Sequence, residues 1–260
     1  MGRKWVAKAQ GRLEWLFPKW THRRRQHRWE QRWQNAQFGR FWGTDEPQKE
    51  LVEAIESGWF PEKRRIIDVG CGNGQLSRWL AEQGFGVLGL DYSEVAIENC
   101  RSLCAGLSNE PIFKVADLCR EDLRLKPAFS VVDRGCFHRT VAKLRPVFAR
   151  NIARATVEGG HFLLLASTFK DPRVRNYGGV RSEEQLRQHI RNIFGAYFAI
   201  ERAEPAVINA VAGQRGMPAV AFWMVRKSAP LQHGECEEIG NRLDSLEGPT
   251  FRRQPEIAGA

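Results

Sequence analysis

An α/β fold, a seven-stranded and mostly parallel sheet flanked by helices, is predicted by three features of the sequence. From about residue 64, short runs of apolar, β-branched residues alternate with amphipathic stretches, the pattern of successive βαβ units. A glycine-rich segment, Gly70 to Gly74, stands between the first apolar run and an amphipathic stretch, where an open α/β sheet turns from strand to helix. The last two apolar runs read as an antiparallel pair of late strands.

The elements follow in order. A helix starts at about Gln48, after Pro47. Arg65 to Val69 is the first strand, and Leu76 to Gln83 a helix with Leu76, Leu80 and Ala81 on one face. Gly86 to Leu90 is the second strand. Ser93-Glu94 opens a helix to about Leu103, with Ser93 as its N-cap. Residues 112–115 and 129–132 are the third and fourth strands. A helix over about 145–156 tolerates Pro146 in its first turn. Gly160 to Ala166 is the fifth strand. Ser182 to Gln185 begins a helix whose early acids suit the helix dipole. Residues 197–201 and 219–225 complete the sheet.

Composition narrows the class. Of 260 residues, 42% are hydrophobic and 27% charged, which is the balance of a folded, soluble protein. The longest apolar stretches, such as 162–166, are far short of the ~20 residues that span a bilayer. The N-terminus lacks an apolar signal core, so a cytoplasmic protein is expected. The six cysteines include no Cys-x-x-Cys pair, which argues against a zinc ribbon and reads as reduced thiols.

The net charge of +10 is concentrated at one end. Residues 1–40 hold eleven Lys/Arg and two Glu, whereas the other 220 residues are nearly balanced. Residues 1–28 read as a basic arm that also carries Trp5, Trp15, Leu16, Phe17 and Trp20. Such a segment can lie on an anionic membrane surface, contact nucleic acid, or pack its aromatics on the body. A helical cap over the active site is expected at 29–62, the core at 63–227, and a flexible acidic tail at 228–260.

The sharpest motif is Asp68-Val69-Gly70-Cys71-Gly72-Asn73-Gly74. A dinucleotide fingerprint needs glycine at 75, where Gln stands, and a phosphate-binding P-loop needs Gly-Lys-Ser/Thr, which is absent. The pattern resembles motif I of the class I S-adenosylmethionine (SAM) methyltransferases. In that family an acid closes the second strand, where Asp91 stands, and can accept from both ribose hydroxyls. Asp117, after the third strand, corresponds to an acid beside the adenine. The resemblance implies SAM as cofactor, S-adenosylhomocysteine as product, and no metal. It assigns Asp68, Gly70, Gly72, Gly74, Asp91, Asp117 and the flanking Tyr92, Ala116 and Leu118 to the cofactor site.

Two further matches resemble the thiopurine methyltransferase group, which acts on small thiols and halides. Trp29 and Trp33 form a W-x-x-x-W pair, and Asp133-Arg134-Gly135 follows the fourth strand. The resemblance places Trp29, Trp33, Asp133 and Arg134 near SAM, with Phe41, Trp42 and Tyr177 in the acceptor pocket. Trp29 and Trp33 would serve equally as a packing stripe on a helix. Tyr177 lies in a glycine-bearing loop, either a lid or a surface turn. His138 is either a general base or a structural histidine. These residues imply methylation of a small molecule at a thiol or other soft nucleophile, which ionises without a dedicated base. An N- or O-methyltransferase of a lipophilic metabolite is the alternative. Nucleic-acid modification is less favoured, because the fourth strand is not followed by an Asn/Asp-Pro-Pro-aromatic motif.

Overall fold

The computed structural model describes residues 16–35, 47–61, 64–121, 123–167, 182–208 and 216–228. Among these residues two helices come first, α1 (Pro18–Trp33) and α2 (Lys49–Glu56). The alternating part follows: β1 (Arg65–Val69), α3 (Gln75–Glu82), β2 (Gly86–Asp91), α4 (Glu94–Cys104), β3 (Ile112–Val115), β4 (Ala128–Arg134), α5 (Arg145–Ala155) and β5 (Thr156–Ser167). The chain then forms α6 (Glu183–Phe194), β6 (Phe198–Ile208) and β7 (Met217–Arg226).

All seven strands form one sheet, ordered β3-β2-β1-β4-β5-β7-β6. β1 to β5 pair in parallel, and β7 runs antiparallel to both β5 and β6. This is the Rossmann-like arrangement. The strand order reverses between β1 and β4, which opens a crevice beyond their carboxyl ends. Register sets those ends level. Val69 lies opposite Leu90 on one side and Asp133 on the other, and Asp91 lies opposite Val115. The segments leaving β1, β2, β3 and β4 therefore converge on one place.

Local chemistry fixes the helices. Ser93 accepts from the Ala96 N–H at 3.1 Å, and Ser182 accepts from the Gln185 N–H at 3.2 Å, capping α4 and α6. Two strands run longer than their apolar runs suggest. β5 begins at Thr156, and β6 continues to Ile208. β6 is the outermost strand and pairs on one side only, so it tolerates the polar residues and Pro205 along it.

The expected division at residue 28 falls inside α1, which is one continuous helix. Thr21, Arg25 and Trp33 are buried at helical spacing, so a single inner face runs through the boundary. α2, expected in the cap, is built into the core instead. Leu51 and Ala54 are fully buried with Phe60, Ile66, Leu80, Leu163 and Trp223. Gln48, just before α2, donates to the Val207 carbonyl at 2.8 Å. Residues 1–15 and 229–260 lie outside the described residues. No described helix is long and apolar enough to cross a membrane.

Candidate cofactor and acceptor pocket

The loop after β1 is shaped by glycine backbone. Gly72 and Gly74 adopt φ of +57° and +81°, a left-handed region that side chains rarely enter. A Cβ at Gly72 would stand 2.9 Å from the Trp33 ring, and one at Gly74 2.9 Å from the Cys100 sulfur. The loop therefore packs so closely on α1 and α4 that neither position has room for a methyl group. The Cys100 thiol donates to the Gly72 carbonyl at 3.2 Å and holds the loop from below.

Asp91 joins this loop to the end of β2. Its two oxygens accept from the Gly72 N–H at 3.1 Å and the Ser93 N–H at 2.9 Å. Burial pushes its carboxyl up to about 6, against those two hydrogen bonds. Asp68 stands behind the wall and accepts from the Ser77 hydroxyl at 2.6 Å, fixing the start of α3. Burial raises it to about 6 as well, although Ser77 and the charge of Arg134 oppose the shift. Asp133 is also buried. It accepts the backbone N–H of Gly135, Cys136 and Phe137 at 2.9, 2.6 and 2.9 Å, and burial still lifts it to about 7. It thereby folds the turn that presents Arg134, Gly135 and His138.

One cavity lies over these strand ends. Trp29, Trp33, Gly70, Gly72, Asp91, Tyr92, Ala116, Asp117, Leu118 and Arg134, all predicted for the cofactor, line it, as does His138. Asp68, Gly74 and Asp133 do not line it; they shape its walls from behind. Phe41, Trp42 and Tyr177 lie outside the described residues. Trp29 and Trp33 stack with centroids 6.2 Å apart, and Trp33 rests on Gly72, so packing and pocket lining are combined in one pair.

α1 also supplies His22 and Arg25, which the sequence reading did not single out. His22 Nε2 lies 2.9 Å and Gln26 Nε2 2.7 Å from Asp117 Oδ2, while the Cys119 N–H donates to Oδ1 at 2.9 Å. Burial raises the Asp117 carboxyl, but His22 and these donors outweigh it and hold the group below its ordinary value. The carboxylate expected to meet adenine thus also anchors α1, with one lone-pair direction left on Oδ1. Arg25 donates to the Arg139 carbonyl at 2.8 Å. Polar residues at i, i+4 on the inner face of a basic helix were the only sequence signal for this tether. His22, Asp117 and Cys119 are also the one group among the described residues whose ligand atoms could meet on a metal ion, within 4.8 Å of one another. The His22–Asp117 hydrogen bond accounts for two of the three.

His138 sits on the short turn Phe137–Arg139 and is 1% exposed. The Ser167 N–H donates to its Nδ1 at 3.3 Å, which assigns the ring proton to Nε2. Nε2 has no partner among the described residues. Burial, then the charges of Arg139 and Arg145, hold its pKa well below 6.5, so the ring is neutral. This geometry suits a hydrogen-bond donor better than a general base, which is one of the two roles the sequence left open for it. Nearby, Leu118, Phe148, Ile208 and Met217 make an apolar wall. Phe148, Ile208 and Met217 come from α5, β6 and β7, and only the sheet topology brings them together.

The arrangement fits a nucleoside with a cationic tail. It offers a side-chain-free loop, a carboxylate at the end of β2 for the ribose, and aromatic faces that attract a sulfonium. Comparison with known proteins agrees. Residues 66–160 match a family model described as a methyltransferase domain. A 2-heptyl-1-hydroxyquinolin-4(1H)-one methyltransferase of Mycobacteroides abscessus is 28% identical over 173 residues, 65% of this chain and 73% of that protein. EEF1A lysine methyltransferase 2 of Homo sapiens is 26% identical over 147 residues, 53% of this chain and 62% of that protein. A solved structure concerned with the conversion of a disulfide bond into a thioacetal group during echinomycin biosynthesis has the same fold. It superposes with a TM-score of 0.62 at 20% identity, over 79% of this chain and 91% of that one.

Proposed function

We propose that this class I SAM-dependent methyltransferase methylates a small, flat, apolar molecule at an atom that is already anionic near neutral pH. An acidic ring hydroxyl or N-hydroxyl is the first choice. The observation that carries this reading is His138, a cavity-lining histidine whose Nδ1 accepts from Ser167 and whose buried Nε2–H has no partner among the described residues. The carboxylates and thiols described there are poor bases for an acceptor, and His22 is already bonded to the Asp117 carboxylate. Asp91 and Asp117 already accept N–H groups on both oxygens, and burial pushes the thiols of Cys119 and Cys136 well up. A neutral donor suits an acceptor that brings its own negative charge. It does little for an ammonium, which must lose a proton before it can react, so a lysine side chain fits less well.

SAM supplies a methyl group on a sulfonium, ready for in-line displacement. The chain's share is alignment and exclusion of water. Phe148, Ile208, Met217 and Leu118 would hold an aromatic plane and keep water from it. Opposite charges neutralise as the methyl moves, so a dry site favours the transition state over the separated reactants. Nε2 of His138 would hold the acceptor oxygen or an adjacent carbonyl in place. The hydroxyquinolone relative, 28% identical, supports the oxygen reading. Sulfur is the second reading. The likeness of Trp29, Trp33 and Asp133-Arg134-Gly135 to the thiopurine group supports it, and a thiol also needs no base.

The test is labelled-methyl transfer from SAM to a panel of N-hydroxyquinolones, acidic phenols, aromatic thiols, amines and lysine peptides. The rate is expected to follow the ionised fraction of the acceptor. Turnover confined to amines or lysine peptides would overturn the proposal.

A further inference from the structure

Helix α1 has two faces with different chemistry. The inner face carries Thr21, Arg25 and Trp33, all buried, and lines the cavity with His22 and Trp29. The outer face exposes Arg23, Arg24 and Arg28. At its N-terminal end Leu16, Phe17 and Trp20 each leave nearly half their surface open, at 48%, 46% and 47%. Glu30, the only acid in the helix, is turned inward and accepts from the Val95 N–H at 3.1 Å. The outward charge is therefore of one sign, set beside an apolar tip.

We infer that this outer face docks the enzyme on an anionic lipid surface. Leu16, Phe17 and Trp20 enter the headgroup layer, and Arg23, Arg24 and Arg28 meet lipid phosphates. Charge complementarity and the apolar tip select this occupant together. A nucleic-acid backbone would satisfy the arginines and leave Leu16 and Phe17 in water. A second copy of the same face would set arginines against arginines. Tryptophan beside arginine suits the interface, because one part of the pair is apolar and the other wet. The Arg24 guanidinium lies 4.7 Å from the Trp20 ring centre.

Docking has a consequence for the pocket. The helix that meets lipid with its outer face walls the cavity with its inner face, so the cavity is presented at the membrane surface. A lipophilic acceptor could then enter from the bilayer. That last step rests on the acceptor reading above, whereas the docking itself does not.

The experiment is sedimentation of the full chain with vesicles of phosphatidylcholine alone and of phosphatidylcholine with phosphatidylglycerol. Binding is expected only to the anionic vesicles, and it should weaken with salt. Phe17→Ser with Trp20→Ser, and separately Arg23→Glu with Arg24→Glu, should each weaken binding roughly tenfold or more. SAM affinity, measured on the same variants, should be unchanged, which shows that they fold. Equal binding to both vesicle types, or none to anionic vesicles at low salt, overturns the inference. So does binding that ignores the Phe17 and Trp20 changes and is displaced by RNA. Anionic-vesicle binding without turnover of any lipophilic acceptor would leave docking in place and defeat only the acceptor reading.

Discussion

The two ends of the cavity are held by different means. At the cofactor end the wall is mostly backbone, with Gly70 and Gly72 packed against neighbours and Asp91 taking two N–H groups. These groups come from consecutive turns at the ends of β1 and β2, and Trp29, Trp33, Asp117 and Arg134 close the wall around them. At the other end the wall is side chain, from His138, Phe148, Ile208 and Met217 on four separate segments. The first end can bind one ligand well and tolerates little change. The second can be remade one side chain at a time without disturbing the loop that holds the cofactor. On the function proposed above, one chain combines a fixed donor site with an acceptor site open to variation.

The largest expected effect tests the fixed end. Asp91→Ala removes two hydrogen bonds from the ribose to a charged acceptor, each about 1.5–3 kcal/mol, so SAM affinity should fall by about a hundredfold or more. The same carboxylate predicts a pH dependence. Its pKa is raised from 3.8 to about 6, and the ribose hydroxyls need the ionised form. SAM affinity should therefore be full above about 6 and weaken as pH falls below it, by about tenfold per pH unit. Calorimetry across that range checks both. A flat profile together with wild-type affinity in Asp91→Ala would remove Asp91 from the ribose site.

The same contrast explains what could be read from sequence. Gly70, Gly72, Gly74 and Asp91 lie within a short stretch, and their chemistry demands those residue types at those spacings. Seven strands and their helices followed from periodicity, because each element carries its own pattern. Asp68 and Asp133 were legible as special, yet their role differs. They shape the turns from behind the wall, and burial depth does not show in a motif. Phe148, Ile208 and Met217 are ordinary apolar residues in sequence, and pairing of β7 with both β5 and β6 is what places the last two. His22 and Gln26 meet Asp117 across more than ninety residues, a contact no local spacing encodes.

A smaller effect is expected at the variable end. His138→Ala removes one donor to an anionic acceptor, about 1.5–3 kcal/mol, so kcat/KM for the acceptor should fall by about ten- to a hundredfold. SAM affinity should stay the same, which separates the two ends directly. Gln keeps an N–H at similar reach, and His138→Gln should recover part of the loss. Because burial keeps the ring neutral, the rate should follow the acceptor's own ionisation, with no break from this histidine. A rate that falls with protonation of His138, and is not recovered by Gln, would restore it as a base.

The smallest effect concerns the joint between the ends, where α1 meets Asp117. His22→Ala removes one of three donors from that carboxylate, a loss of about 1 kcal/mol. Asp117 is held below 3.8 in the folded chain, so its contribution to stability is present above that pH and is lost as pH falls below it. The difference between wild type and His22→Ala in urea unfolding should therefore be constant near neutrality and shrink in acid. Trypsin offers a local readout, since Arg23 and Arg24 are exposed on the same helix. Cleavage there should quicken in His22→Ala while the core stays resistant, because loosening one anchor opens the helix before the sheet. Unchanged cleavage and unchanged stability would mean that the contacts of Arg25, Gln26, Trp29, Glu30 and Trp33 hold α1 without His22. The tether to Asp117 would then rest on Gln26, and the His22 side of that carboxylate would be left to the adenine.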